Sequence, residues 1–269
     1  MTPSDLPRRW LGDRAFLACL VVLGGTYVVL ILAMLGADLA YTTPGHLLEA
    51  LSSREIRFAV RLSLLSSTLT AILSLWVAVP LGYLLARFDF PGKKLLDALL
   101  DIPVVLPPLV IGLSLLILFQ TPVGRGIERF VPVTYAVPSV ILAQFAVSAA
   151  FAVRTMRVTF DQITPRLEQV ALTLGCSRSQ AFWWVALPEA WRGVVTAGTL
   201  SWARALGEFG PVLVFSGATR LRTEVLPTTV FLELSIGNLH GAVAVSLLMV
   251  AAALVVLLIV RIFGLGRAG

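Results

Sequence analysis

Two ionisable residues, Arg204 and Glu208, stand inside a stretch, residues 193–219, that otherwise carries no Asp, Glu, Lys or Arg. Spaced four apart, they share one face of a helix. Counted from Gly193 at 1.5 Å per residue, Arg204 lies about 16 Å along that helix. In lipid this is close to mid-depth, where an ionised group costs at least about 2.5–3.5 kcal/mol on insertion scales. Two kinds of chemistry remain open to such a pair. It can be a mutual ion pair that fastens helix packing, or the polar wall or gate of a path through the protein. Gly207, Gly210 and Pro211 predict a helix break beside it. Arg204, Gly207, Glu208 and Gly210 are therefore candidate path or gate residues, and Pro107, in a proline-rich run described below, joins them.

Other reactive side chains offer less. Cys19 lies in an apolar run and Cys176 in a polar segment, in neither case with metal-ligand spacing, and their surroundings argue against a mutual disulfide. His46 and His240 are isolated in the sequence, so no metal site is expected. The convergent groups that a membrane-embedded enzyme needs are missing, and no catalytic residue is assigned. The chain carries no G-x-x-x-x-G-K-[ST] phosphate loop. Gly92-Lys93-Lys94 has the wrong neighbours for one. The chain itself is therefore expected to bind no nucleotide or other cofactor.

The longest polar interval is residues 154–192. Leu167, Val170, Ala171 and Leu174 recur in it at helical spacing. Gly175 then offers a turn, with Cys176 as a small space-filler beside it. Ser177 can cap a second helix running through Ala181, Phe182, Trp183 and Val185 and stopping near Leu187-Pro188. A short helix, a glycine corner and another short helix with exposed apolar residues are suited to docking into a partner.

The elements that position these residues follow from composition. Hydrophobic residues make up 58% of the 269 and charged residues 13%, with a mean hydropathy of +0.91. Soluble proteins carry about 25% charged residues. So apolar a chain needs lipid around it, which fixes the class as an integral membrane protein. The net charge of +6 reads as the basic bias of membrane loops, and without a basic run interleaved with aromatics nucleic acid is not expected as a partner.

A span needs roughly 20 apolar residues. Six runs qualify: 15–36, 62–86, 102–124, 130–153, 193–219 and 234–260. The first is too long for a secretion signal and is expected to remain as an anchor. The third opens Ile102-Pro103-Val104-Val105-Leu106-Pro107-Pro108, where the prolines must kink or delay a helix. With the N-terminus inside, thirteen Lys and Arg residues fall on the inner side and seven on the outer. Both termini are therefore expected in the cytoplasm. Of the outer seven, Arg125, Arg129, Arg220 and Arg222 are either ordinary loop charges or a positive docking face or vestibule. Trp10, Trp76, Trp183, Trp184, Trp191 and Trp202 are read mostly as interfacial anchors. No regulatory domain is expected after the last run.

The polar interval also carries a specific resemblance. Gln169-Val170-Ala171, then Gly175, then Val185 and Leu187-Pro188 resembles the EAA loop of ATP-binding-cassette importer permeases, with the same spacing throughout. Gln169 stands where that motif has Glu and Val170 where it has Ala, while Glu168 supplies an acid one position early. Phe90-Pro91-Gly92-Lys93, the 102–108 run and Ser201-Trp202-Ala203-Arg204-Ala205-Leu206-Gly207-Glu208-Phe209-Gly210 look like the molybdate, tungstate and sulfate subgroup. The resemblance covers residues 58–263, after a first helix and outer loop at 15–57, within one transmembrane domain. It implies an all-α integral membrane bundle of about six transmembrane helices. A cytoplasmic helix-turn-helix coupling element at 154–192 would lie between the fourth and fifth. It also implies that Glu168, Gln169, Ala171, Gly175, Ser177, Leu187 and Pro188 meet a separate ATPase subunit, which uses ATP and Mg. The further partners implied are an extracytoplasmic binding protein, a second permease copy and the surrounding lipid of the inner membrane. Another substrate of such importers, a stand-alone channel or an ion-driven transporter are the alternatives. The last two would need no docking element.

Overall fold

The structure, a computed structural model, describes residues 6–264 and is built of helices joined by short turns. Arg267 lies outside the described residues, and of Arg8, Arg9, Trp10 and Arg261 only the backbone is described. The helices are α1 (Leu6–Tyr41), α2 (Pro44–Ser52), α3 (Arg54–Arg87), α4 (Lys93–Val105), α5 (Pro108–Gln120), α6 (Pro122–Glu128) and α7 (Val137–Gln162). Then follow α8 (Arg166–Thr173), α9 (Arg178–Ala181), a π-helical turn at Phe182–Ala186, α10 (Leu187–Glu189), α11 (Trp191–Leu206), α12 (Gly210–Ser216), α13 (Leu226–Ser235) and α14 (Leu239–Gly264).

Among the described residues, four helices are long and apolar enough to cross a membrane: Arg14–Tyr41, Arg54–Arg87, Val137–Gln162 and Leu239–Leu258. A fifth candidate is the pair α4 and α5, bent by 112° at Leu106-Pro107. About six spans were expected, with breaks at the 102–108 prolines and beside Gly207. The difference arises at the prolines and glycines. Pro107 is extended, with φ −55° and ψ 130°, so α5 starts afresh at Pro108. The 193–219 run is divided into α11 and α12 by Gly207–Phe209. The 130–153 run begins its helix only at Val137 and continues to Gln162.

The centre of the bundle is α3 packed along α7, with α11 against both. Their shared seam is made of small polar residues: Ser63, Ser66, Ser67, Thr70 and Ser74 on α3, and Ser139, Gln144 and Ser148 on α7, all buried. Small side chains let the backbones approach closely, as membrane helices require. Gly82 shows how close, since a Cβ there would come within 2.7 Å of Met156 Cβ. Most of the seam hydroxyls donate within their own helix, such as Ser67 to Ser63 O at 2.6 Å and Ser148 to Gln144 O at 2.8 Å. Bonds across the seam are longer: Thr70 to Gln144 Oε1 at 3.2 Å and Ser74 with Ser148 at 3.4 Å.

Trp202 corrects one expectation. It is buried rather than interfacial, and its Nε1 donates to Thr68 Oγ1 at 3.2 Å across α11 and α3. A tryptophan inside a bundle needs such an acceptor for its N–H.

Candidate coupling surface and intramembrane charge pair

The 166–189 element begins with α8, which ends because Gly175 adopts φ +93°. Gly175 N–H donates to Leu172 O and Cys176 N–H to Ala171 O, both at 3.1 Å. This is a Schellman closure, and a side chain would strain that left-handed position. Ser177 then caps α9 through a reciprocal box: its Oγ accepts from Gln180 N–H at 3.2 Å, and Gln180 Oε1 accepts from Ser177 N–H at 2.8 Å.

The second helix ends close to Leu187-Pro188, at Glu189, with Pro188 inside its last turn. Pro188 cannot donate to the preceding turn, and its ring crowds that turn. The helix widens just before it, with Leu187 N–H donating to Phe182 O in a π-type turn. Helical conformation therefore continues through α10 to Ala190, where the backbone turns into α11.

The predicted coupling residues divide into two groups. Glu168 and Ala171 are buried on the inner side of α8. Glu168 accepts from Tyr83 Oη at 2.6 Å and from Arg87 Nε at 2.8 Å. Arg87 Nη2 also donates to Ile163 O at 2.8 Å. The acid that the sequence places one position early is thus an anchor, riveting α8 to the end of α3. Gln169, Gly175, Ser177 and Pro188 lie on the surface, and Leu187 is half-buried. Around them Val170, Leu174, Trp183 and Trp184 stand exposed, Leu174 at 79%. Tyr83 and Arg87 were not among the expected site residues. Their four-residue spacing at the inner end of the second apolar run is the signal that could have found them.

The other predicted group lies within the bundle. Arg204 Nη1 is 3.0 Å from Glu208 Oε2, an ionic contact without hydrogen-bond geometry. The Glu208 side chain is 2% exposed and that of Arg204 32%, so the guanidinium reaches outward over the buried carboxylate. Its other side meets the Phe151 ring, 5.7 Å from Cζ to the centroid. Gly207 ends α11 and Gly210 opens α12. The start of α5 lies against this break. A Cβ on Gly210 would meet Leu109 N at 3.1 Å, and one on Gly112 would meet Pro211 Cα at 2.6 Å. Gly210 and the Pro108–Leu109 turn, next to Pro107 in the chain, thus meet at one backbone crossing, with Gly112 as a member that sequence reasoning missed.

His46 and His240, isolated in sequence, are neighbours, with ring centroids 4.3 Å apart and Tyr41 stacked on His240. Arg220, one of the expected outer basic residues, pairs with Glu233 at 2.9 Å. Among the described residues no group of three or more His, Cys, Asp or Glu could hold a metal ion.

Residues 78–266 match the family described as binding-protein-dependent transport system inner membrane component. The chain is 33% identical over 250 residues to the sulfate transport system permease protein CysT of Escherichia coli (strain K12), covering 92% of this chain and 88% of that one. It is 34% identical over 206 residues to the molybdenum transport system permease protein ModB of the same organism, covering 75% and 90%. It is 39% identical over 156 residues to the molybdate/tungstate transport system permease protein WtpB of Thermococcus kodakarensis, covering 58% and 59%. The fold is shared with a chain of a bacterial transporter involved in importing the acidic polysaccharide alginate, at a TM-score of 0.73, 18% identity and 99% coverage of each chain. Matched over most of its length, and with apolar helices of spanning length, this chain is a transport permease of the inner membrane and belongs to the binding-protein-dependent transport system inner membrane component family.

Proposed function

We propose that the chain is the membrane-spanning subunit of an ATP-binding-cassette importer for a small tetrahedral oxyanion of the sulfate, molybdate or tungstate class. The observation that carries this reading is the set of relatives at 33–39% identity named for those anions. The exposed apolar surface of α8 to α10, rigidly fixed through Glu168, supports coupling to a separate ATPase subunit. In this reading both termini face the cytoplasm, α11 and α12 together make a further crossing, and two copies of the chain enclose the path. ATP and Mg belong to the ATPase. A binding protein delivers the anion from outside; one alginate transporter of this fold was solved in complex with a periplasmic protein.

Arg204 suits a passing anion. It offers a partly open guanidinium whose charge is balanced from below by Glu208, so attraction is present without a closed cage that would trap the ion. The test is the permease reconstituted in liposomes with its ATPase and binding protein. Sulfate, molybdate or tungstate should stimulate ATP hydrolysis and drive uptake. ATP-dependent import of none of the three would refute the oxyanion assignment, and import without any ATPase would refute the coupled mechanism.

A further inference from the structure

The ion pairs between α4 and α7 have no part in the function derived so far. Asp97 and Asp101 project from α4 four residues apart, and Arg154 and Arg157 from α7 three apart, so each row lies on one helical face. Arg154 Nη1 is 3.2 Å from Asp101 Oδ1, and Arg157 Nη1 pairs with Asp97 Oδ1. Asp161, one turn on, approaches Arg157 Nε at 3.8 Å. These charges border a cavity of about 310 Å³ between the helices. No residue of α4 is fully buried. It is held by these pairs and by Leu96 and Leu100, which pack on the core without being buried by it. Leu95 and Leu99 face away.

The partial exposure of the four side chains matters. Ion pairs open to water are individually weak, so they can be broken and remade within a working cycle. The chain runs from α4 directly into the intramembrane crossing. The C-terminal end of α4 meets α5 at the 112° bend, where Leu106 and Pro107, both extended, form the link. The first turns of α5 touch the backbone of α12 at Gly210 and Pro211, next to Glu208.

We propose that Asp97, Asp101, Arg154 and Arg157 form a releasable clasp that positions α4 and, through the Pro107 hinge, sets the α5–α12 crossing during transport. The inference rests on the reading of the chain as a transport permease. The closed clasp is the arrangement seen here, and a second arrangement has α4 swung off α7 with all four charges in water. These are positioning residues that need not touch the anion.

The test uses the complete reconstituted transporter, with Cys19→Ser and Cys176→Ser removing the native thiols. Asp97→Cys with Arg157→Cys, joined by a reducible bifunctional thiol reagent, should lose uptake by about tenfold, within the range that couplings between sites span. Reductant should restore it. Separately, Asp97→Arg should lower anion transported per ATP hydrolysed, and Asp97→Arg with Arg157→Asp should recover that ratio. A merely structural contact would change stability but not this ratio. Full uptake by the cross-linked protein, or a charge-reversed double variant no better coupled than Asp97→Arg alone, overturns the clasp. A wild-type complex that imports no anion overturns the transport reading and the clasp with it; an active wild type with an indifferent cross-link overturns the clasp alone.

Discussion

Replacing Glu168 by alanine should loosen the coupling surface while leaving the bundle inserted. The Glu168 and Arg87 side chains are 10% and 9% exposed, so the substitution strands a guanidinium away from water. Breaking a buried pair by removing one partner costs about 3–5 kcal/mol. Arg87 keeps its bond to Ile163 O at 2.8 Å and lies close to the bundle's edge, which places the expected cost near the lower limit, about 3 kcal/mol. Tyr83 loses its acceptor as well. A loss of about 3 kcal/mol is roughly a 100-fold change in the equilibrium for local opening. Hydrogen exchange of the α8 amides should therefore accelerate by about two orders of magnitude, with α3 and α7 little changed. Uptake should fall with it, because a surface that swings freely transmits no force. Glu168→Gln, which retains an acceptor for Tyr83 and Arg87, should show a smaller effect. Wild-type exchange across α8 in Glu168→Ala would refute the argument that this carboxylate is the rivet. Wild-type uptake despite accelerated exchange would refute the claim that rigidity there matters.

Further outcomes follow from other contacts. Leu174→Asp, at a 79% exposed position, should leave thermal stability unchanged and weaken co-purification with the ATPase subunit. Gly112→Ala must push α5 off Pro211, and an overpacking cost of about 1–3 kcal/mol should lower the melting temperature in detergent. Glu208→Ala should cripple uptake far more than membrane insertion, as measured by transport against expression level. Glu224, in the turn between α12 and α13, is fully buried, and burial pushes its carboxyl above the usual range, against smaller opposite pulls from Thr229 and Arg220. A raised folded-state value means its contribution to stability is fully present in acid and is lost as pH rises through that value. Glu224→Gln should therefore match the wild type near pH 4 and become relatively more stable toward about pH 8, read as the difference in melting temperature.

The sequence revealed what depends on composition and on local spacing. The apolar runs, the glycine turn at Gly175 and the Ser177 cap were legible because each is set within a few residues. The length of continuous helix was not. Pro188 does mark the end of the helix at Glu189, but the π-type turn that admits it is invisible to local rules. The prolines at 107–108 were read as kinking or delaying a helix, but the 112° turn between α4 and α5 could not be read from them. Contacts between distant segments were the least legible. Nothing local says that Glu168 will meet Tyr83 and Arg87, more than 80 positions earlier, or that Gly112 will lie under Pro211. Trp202 was misread for the same reason, since its acceptor is Thr68 on another helix.

The hydroxyl seam between α3 and α7 has a consequence for motion. Because most of its donors are satisfied by their own helix, a relative slide of the two would forfeit, among hydrogen bonds, only the long ones at Thr70 and Ser74. Interlocked leucines would have to climb out of their sockets to make the same displacement. The hydrogen bonds of this central contact thus put up little resistance to such a displacement, and the tight fit of Gly82 on Met156 is where it would be opposed.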